Sequence, residues 1–438
     1  MRTAYSDCLS GTRLHSSKTI PMQLPEDFIR YTREVMGEER FQRYLESFNE
    51  ETPVSIRLNP RKTQGWTVTD GAQPVPWCRE GYYLPRRPNF TMDPLLHAGC
   101  YYVQEAGSMF VSHVLRQYVH QPVTMLDLCA APGGKSTAAI ASLPEGSVLT
   151  ANEPIRQRAN ILSENIQKWG YPGCTVTNRY PKDFRKEGRR FDVILCDVPC
   201  SGEGMFRRDE ATIGEWSMKN VEQCWRLQRD IVSDAWECLN DGGLLIYSTC
   251  TFNTKENEEN VSWIIGQFGA QVLPVETQPE WNITGSLLDG FTEPVYRFIP
   301  GITRSEGLFM AVMRKRRPSP NPSLFREGRK TNKIPLKTIL PSLNREGQGV
   351  GLVGLPDLVS LTYPQAIAYL RGEALTLPDD TPRGIVEVSF MGHTLGQVKN
   401  IGTRANNLYP KEWRIKTTHI PTDYEAILRH TEPHTDRG

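Results

Sequence analysis

The 438-residue sequence contains no C-x-x-C pair, and none of its ten cysteines lies beyond Cys250. A disulfide scaffold is short, dense in cysteine and secreted. A long chain with no apolar leader-like stretch near its start is instead expected in the cytoplasm, with reduced thiols. No apolar run approaches the roughly 20 residues of a membrane helix, so neither a span nor a membrane partner is expected. An excess of one charge is missing too: 51 Lys+Arg face 50 Asp+Glu, a net charge of +1. That excludes a uniformly basic coat for nucleic acid, though not a local basic face. The low hydrophobicity and high net charge of disordered chains are also absent, and 38% hydrophobic residues suffice for the cores of two to four domains.

The texture divides the chain into five parts. Residues 1–21 are Ser/Thr-rich and patternless, a loose tail or a stretch upstream of a start at Met22. Over 22–115, apolar residues at helical spacing predict two short helices around Gly37, followed by strand-like runs at Val54–Leu58 and Gly65–Val68. This α+β module carries Arg57, Arg61, Lys62, Arg86 and Arg87, which face either a polyanion or plain solvent. Over 116–315, short apolar strands alternate with helices, the pattern of an α/β fold with a mostly parallel sheet covered on both sides. Pro154 is expected at the first position of a helix ending at Gly170, and Trp225, Val232, Trp236 and Leu239 on one face of a long helix. Residues 316–355 hold a near repeat, Pro322–Gly328 and Pro341–Gly347, in a composition that reads as a flexible linker. A compact module resumes over 356–438, with strands at Ile385–Phe390 and Thr394–Lys399 and a basic stretch at Lys411–Lys416.

Between the first strand of the middle part and its helix lies Cys129-Ala-Ala-Pro-Gly-Gly-Lys135. Glycines at such a turn let the backbone approach a ligand near free helix N–H groups. A P-loop needs a glycine where this chain has Cys129, so the nucleoside-triphosphate reading fails at its first residue. An adenosyl cofactor across the strand ends needs an acid after the second strand to hold its ribose, and Glu153 stands there.

Two further strands end in Asp197-Val-Pro-Cys-Ser-Gly-Glu-Gly204 and Ser248-Thr-Cys-Thr-Phe252. Ligands of open parallel sheets sit at carboxyl strand ends, which predicts that Cys200 and Cys250 share one crevice with the glycine loop. Cys129 and Cys196 read as small buried hydrophobes. The ligand spacing is poor for zinc, and no metal is expected. A methyl-donor pocket with two thiols and a carboxylate suits alkylation of cytosine carbon 5. A thiolate adds to carbon 6, an acid at ring nitrogen 3, Asp197, stabilises the developing charge, and a base removes the carbon-5 proton before the thiolate leaves.

The three motifs, Cys129–Lys135, Asp197–Arg207 and Ser248–Asn253, together resemble the Sun family of S-adenosylmethionine-dependent RNA cytosine-C5 methyltransferases, in its bacterial RsmF-like rRNA branch. The resemblance implies a Rossmann-like methyltransferase domain over 116–315, an N-terminal α+β RNA-binding module and a C-terminal PUA-like RNA-binding module. It makes Cys250 the nucleophile, Cys200 the thiol that assists product release and Asp197 the third catalytic group. It assigns S-adenosyl-L-methionine to Cys129, Ala130, Ala131, Pro132, Gly133, Gly134, Lys135, Glu153, Asp183 and Asp197. Ser55–Asn59 and Gln104–Ser108 are similar to family features that precede the catalytic domain. The implied partner is 16S rRNA or the assembling small ribosomal subunit, met by a monomer. A tRNA cytosine-C5 methyltransferase and a non-catalytic assembly factor are the alternatives; an adenine N-methyltransferase would want Asp-Pro-Pro-Tyr where this chain has Asp-Val-Pro-Cys.

Overall fold

A computed structural model describes residues 24–317, 358–417, 420–421 and 423–431. The tail at 1–21, the near repeat, and all of the 316–355 segment except Arg316 and Arg317 lie outside the described residues. The N-terminal part contains α1 (Glu26–Met36), α2 (Glu38–Glu46), β1 (Val54–Leu58), β2 (Trp66–Val68), β3 (Gln73–Val75), β4 (Cys78–Leu84), α3 (Pro94–His97), β5 (Tyr101–Val103) and α4 (Phe110–Tyr118). The middle part runs β6 (Thr124–Asp127), α5 (Gly134–Ser142), β7 (Val148–Asn152), α6 (Arg156–Trp169), β8 (Cys174–Thr177), α7 (Pro181–Lys186) and β9 (Phe191–Asp197). It continues through α8 (Ala211–Glu215), α9 (Met218–Cys238), β10 (Leu239–Thr249), α10 (Glu258–Phe268), β11 (Gln271–Val272), β12 (Tyr296–Phe298) and β13 (Leu308–Arg314). The C-terminal part holds β14 (Leu358–Ser360), α11 (Tyr363–Leu370), β15 (Gly384–Phe390), β16 (His393–Asn400), β17 (Ala405–Asn407) and β18 (Leu428–His430).

The middle sheet is ordered β8-β7-β6-β9-β10-β13-β11, with β12 beside β13. Strands β6 to β10 pair in parallel, and β13 runs antiparallel to β10. Parallel strands covered on both faces must be apolar on both, which explains the unalternating runs at Leu126 and Ile194–Cys196. One face packs Met125, Leu149, Val193 and Ile246 against Trp77, Met109 and Phe110 of the N-terminal part. The other packs Leu126, Ile194, Cys196 and Leu245 against Val232, Trp236 and Ile264. The strand order reverses between β6 and β9, so the crevice for a ligand opens beyond their carboxyl ends. No helix among the described residues is long and apolar enough to cross a membrane.

Several sequence expectations are corrected. Helix α6 starts at Arg156, not at Pro154, because residues 153–155 are held out of the helix: Ile155 N donates to Glu153 Oε1 (3.0 Å) and Asn178 Nδ2 to the Pro154 carbonyl (2.9 Å). Leu239 opens β10 and so leaves the α9 face, and Trp225 is only half-buried, with the Arg229 guanidinium 3.9 Å from its ring centroid. The two helices around Gly37 form as expected. They pack, however, on the middle part, where Phe28, Phe41 and Tyr44 cluster with Phe206, Trp216 and Phe252. Of the N-terminal cations, Arg57 is buried and the Lys62 ammonium is spent on the carbonyls of Ala98 (2.7 Å) and Lys168 (2.6 Å); neither faces a polyanion. Arg61, Arg86 and Arg87 are exposed.

The N- and C-terminal parts share one core, in which Ile56, Leu95 and Tyr101 meet Tyr369, Val388 and Val398. Strand β18 pairs antiparallel with β2, a partner that Gly65–Val68 alone did not reveal. The N-terminal part also closes on α6 at Gly99, whose φ is +71° and where a Cβ would stand 1.9 Å from the Lys168 carbonyl oxygen. Gly99→Ala therefore combines a left-handed strain with a backbone clash and is expected to cost about 2 kcal/mol or more, read as a lowered urea midpoint. An unchanged midpoint would show that this contact bears no load.

Candidate active site

The glycine loop is stitched between its neighbouring strands. Leu128 N donates to the Leu195 carbonyl (3.0 Å) and Ala130 N to the Asn152 carbonyl (2.8 Å). Arg158 and Asn165 of α6 donate to the carbonyls of Ala131 (3.0 Å) and Pro132 (2.8 Å). Gly133 takes φ +115°, where a side chain would meet Leu162, so glycine is required for the turn into α5. Lys135 does not reach toward a phosphate nest. Its ammonium donates to Asp197 Oδ2 (2.8 Å), while Ser248 Oγ donates to Oδ1 (2.6 Å). Burial pulls the Lys135 ammonium down, but the Asp197 carboxylate, together with Cys250 and Asp127, holds the group above its ordinary range.

Two buried acids lie under the loop. Asp127 accepts from Ser136 Oγ (2.6 Å) through Oδ2, and its Oδ1 has no hydrogen-bond partner among the described residues. Burial raises its pKa to about 7. Glu153, 1% exposed at the end of β7, accepts from Ile155 N through Oε1. Its Oε2 is 3.3 Å from Arg158 Nη1 without an aligned hydrogen bond. A buried carboxylate oxygen lacking a donor, at the mouth of a glycine turn, fits the hydroxyls of a ribose. Asp183 is placed differently: its carboxylate accepts from Tyr180 N (3.0 Å) and caps the short helix α7. The residue directly after β8 is Asn178, tied to the carbonyls of Glu153 (2.7 Å) and Pro154.

The two cysteine motifs meet. Cys200 Sγ and Cys250 Sγ are 3.1 Å apart, and Cys250 N–H points at Cys200 Sγ (3.3 Å). The hydrogen bond to the Cys250 sulfur, burial and the Glu256 carboxylate all push the Cys200 thiol well above its ordinary range. Either sulfur can be the donor in this contact. Cys129 and Cys196 are buried beneath the site, Cys129 at the base of the glycine loop and Cys196 within β9.

A polar cluster that sequence reasoning overlooked fixes the two loops. Glu203 accepts the backbone N–H groups of Phe252 (2.6 Å) and Asn253 (3.0 Å), and also the Trp216 indole N–H (2.9 Å). Glu256 accepts from Ser201 N (3.1 Å), Asn253 Nδ2 (2.8 Å) and Gln228 Nε2 (2.6 Å). Burial and the neighbouring Glu203 raise the Glu256 pKa to about 7. Beneath them a buried Arg297–Glu258 pair donates from Arg297 Nη1 to the Phe252 carbonyl (2.8 Å). Gly204 N binds the Cys250 carbonyl (2.8 Å), and a Cβ on Gly204 would stand 2.9 Å from that oxygen. The signal was present in the motifs: Glu203 and Asn253 lie inside them, and a carboxylate in a glycine turn needs several donors once buried.

The 16S rRNA methyltransferase RsmB/F family matches residues 115–314, the N-terminal domain of 16S rRNA methyltransferase RsmF matches 24–106, and the RsmF PUA domain matches 357–415. Ribosomal RNA small subunit methyltransferase F of Pectobacterium atrosepticum is 32% identical, over 96% of this chain and 86% of that protein. The Aeromonas hydrophila protein of the same name is 28% identical, over 89% and 97%. Among solved structures, a methyltransferase homolog protein from Pyrococcus horikoshii is 25% identical, with TM-score 0.58 over 67% of this chain and 96% of that one. NSun6 from Pyrococcus horikoshii with SFG is 20% identical, with TM-score 0.55 over 67% and 99%. With its glycine loop, paired thiols and three matched domains in this order, the chain belongs to the RsmB/F family of 16S rRNA methyltransferases.

Proposed function

We propose that the chain transfers a methyl group from S-adenosyl-L-methionine to carbon 5 of a cytosine in 16S rRNA, in the cytoplasm. The observation that carries this reading is the pair of thiols 3.1 Å apart at the strand ends that also bear Asp197 and the glycine loop. The cofactor supplies an electrophilic methyl group on a sulfonium. Residues Cys129–Lys135, Glu153, Asp183 and Asp197 would hold it. Cys250 adds to carbon 6 as its thiolate, and the ring electrons displaced toward carbon 5 take up the methyl. Asp197 relays a proton from the Lys135 ammonium against it to ring nitrogen 3 as negative charge builds there. Loss of the carbon-5 proton to a water acting as base then returns the electrons to the ring and expels Cys250 as a thiolate, to which the Cys200 thiol gives a proton. The target base must leave any helix to reach Cys250, so a loop or an assembling subunit is the substrate form.

The test is to incubate the protein with labelled methyl donor and 16S rRNA, naked and in small subunits, and to digest the RNA to nucleosides. Label in 5-methylcytidine from 16S rRNA is expected. Label only in tRNA would overturn the substrate, label in a methyladenosine the chemistry, and no label at all would favour an assembly factor.

A further inference from the structure

Arg57 lies on β1 of the N-terminal part and is 1% exposed, yet no carboxylate among the described residues pairs with it. An unpaired buried charge is expensive unless neutral acceptors surround it. Those acceptors come from the middle part as well as from its own. Arg57 Nε donates to Gln104 Oε1 (2.8 Å) and Nη2 to Thr137 Oγ1 (2.6 Å), with the carbonyls of Gly134 (3.4 Å) and Thr137 (3.5 Å) completing the fork. The guanidinium also lies over Trp169, 4.5 Å from its ring centroid. Gly134 and Thr137 form the first turn of α5, which carries the glycine loop. Trp169 is the last residue of α6, the helix that follows Glu153. Asn59 grips the same end, donating through Nδ2 to the Trp169 carbonyl (2.8 Å).

We infer that Arg57 is a positioning residue for the cofactor pocket, a side chain from the N-terminal part that sets the glycine loop against Glu153 without touching the cofactor. This rests on the proposed binding of S-adenosyl-L-methionine. A lysine cannot replace the fork, because one ammonium cannot reach Gln104, Gly134 and Thr137 together. Gln104 belongs to the same device: its Nε2 is buried without a partner and would lie 3.6 Å from a Cβ on Gly134.

The experiment measures S-adenosyl-L-methionine binding by calorimetry, without RNA, on the full chain and on Arg57→Lys, Thr137→Val and the double variant, with thermal unfolding alongside. Each single change is expected to weaken cofactor binding about tenfold, and the double change no more than the worse single, because both remove one shared hydrogen bond. In turnover, KM for the cofactor rises about tenfold, while kcat at saturating cofactor and KM for RNA stay within about threefold of wild type. Unchanged cofactor affinity in a folded Thr137→Val protein overturns the inference even if Arg57→Lys does not fold. A selective rise in KM for RNA overturns it as well. Failure of the wild type to bind the cofactor would instead overturn the function on which it rests.

Discussion

Cys250→Ala transfers no methyl group to RNA above background, a loss of about a thousandfold or more, because the sulfur proposed to add to carbon 6 is gone. The change removes one sulfur whose side-chain partner is Cys200, and the backbone around it stays fixed by Glu203 and by Gly204 N on its carbonyl. Its urea midpoint and its cofactor affinity should therefore match wild type. This separates a lost nucleophile from a lost fold. Label incorporation by Cys250→Ala at even a tenth of the wild-type rate would remove Cys250 from the nucleophile's role, with Cys200, 3.1 Å away, as the obvious substitute.

The second large effect is opposite in kind. Cys200→Ala should accumulate a protein–RNA complex that survives denaturant and heat, forms only with the methyl donor present, and approaches one RNA per protein. In the proposed sequence Cys200 acts after the methyl group is in place, when Cys250 is still bonded to carbon 6. Its thiol is held protonated by the Cys250 sulfur and by burial, and so is suited to deliver or relay a proton rather than to attack. Turnover should fall about a hundredfold or more. Electrophoresis under denaturing conditions reads the complex directly, and Cys200→Ala combined with Cys250→Ala should abolish it. Multiple turnover by Cys200→Ala at the wild-type rate, with no retained RNA, would assign release to another group.

What was legible in the sequence follows physical range. The α/β alternation, the glycine turn and the two thiol motifs are local patterns, since a strand end and the turn after it are set by residues within a few positions. Glu153 and the convergence of Cys200 with Cys250 followed because carboxyl strand ends converge in any parallel sheet. Three-dimensional partners were not legible. Arg57 and Lys62 looked like surface cations because nothing in their neighbourhood announces the carbonyls of Thr137 and Lys168 that bury them. The α1–α2 pair was amphipathic in plain view, but a helical stripe does not say which core it covers, and Phe28 and Tyr44 turned toward Phe252 rather than toward their own sheet. Asp183 has a local role that the sequence reading did not include: its carboxylate accepts from Tyr180 N and caps α7.

The β18–β2 ladder has a bearing on how the molecule is made. Arg429 is paired with Asp70 across 359 residues of chain, and Leu428 with Val68 in the same ladder. At translation speeds of about 5–20 residues per second, roughly 20–70 s separate the synthesis of these partners. Throughout that interval the edge of β2 waits with open hydrogen-bonding groups on the ribosome, the particle whose RNA its family modifies. Closure of the ladder, and with it of the core that the N- and C-terminal parts share, thus waits until β18 has been made.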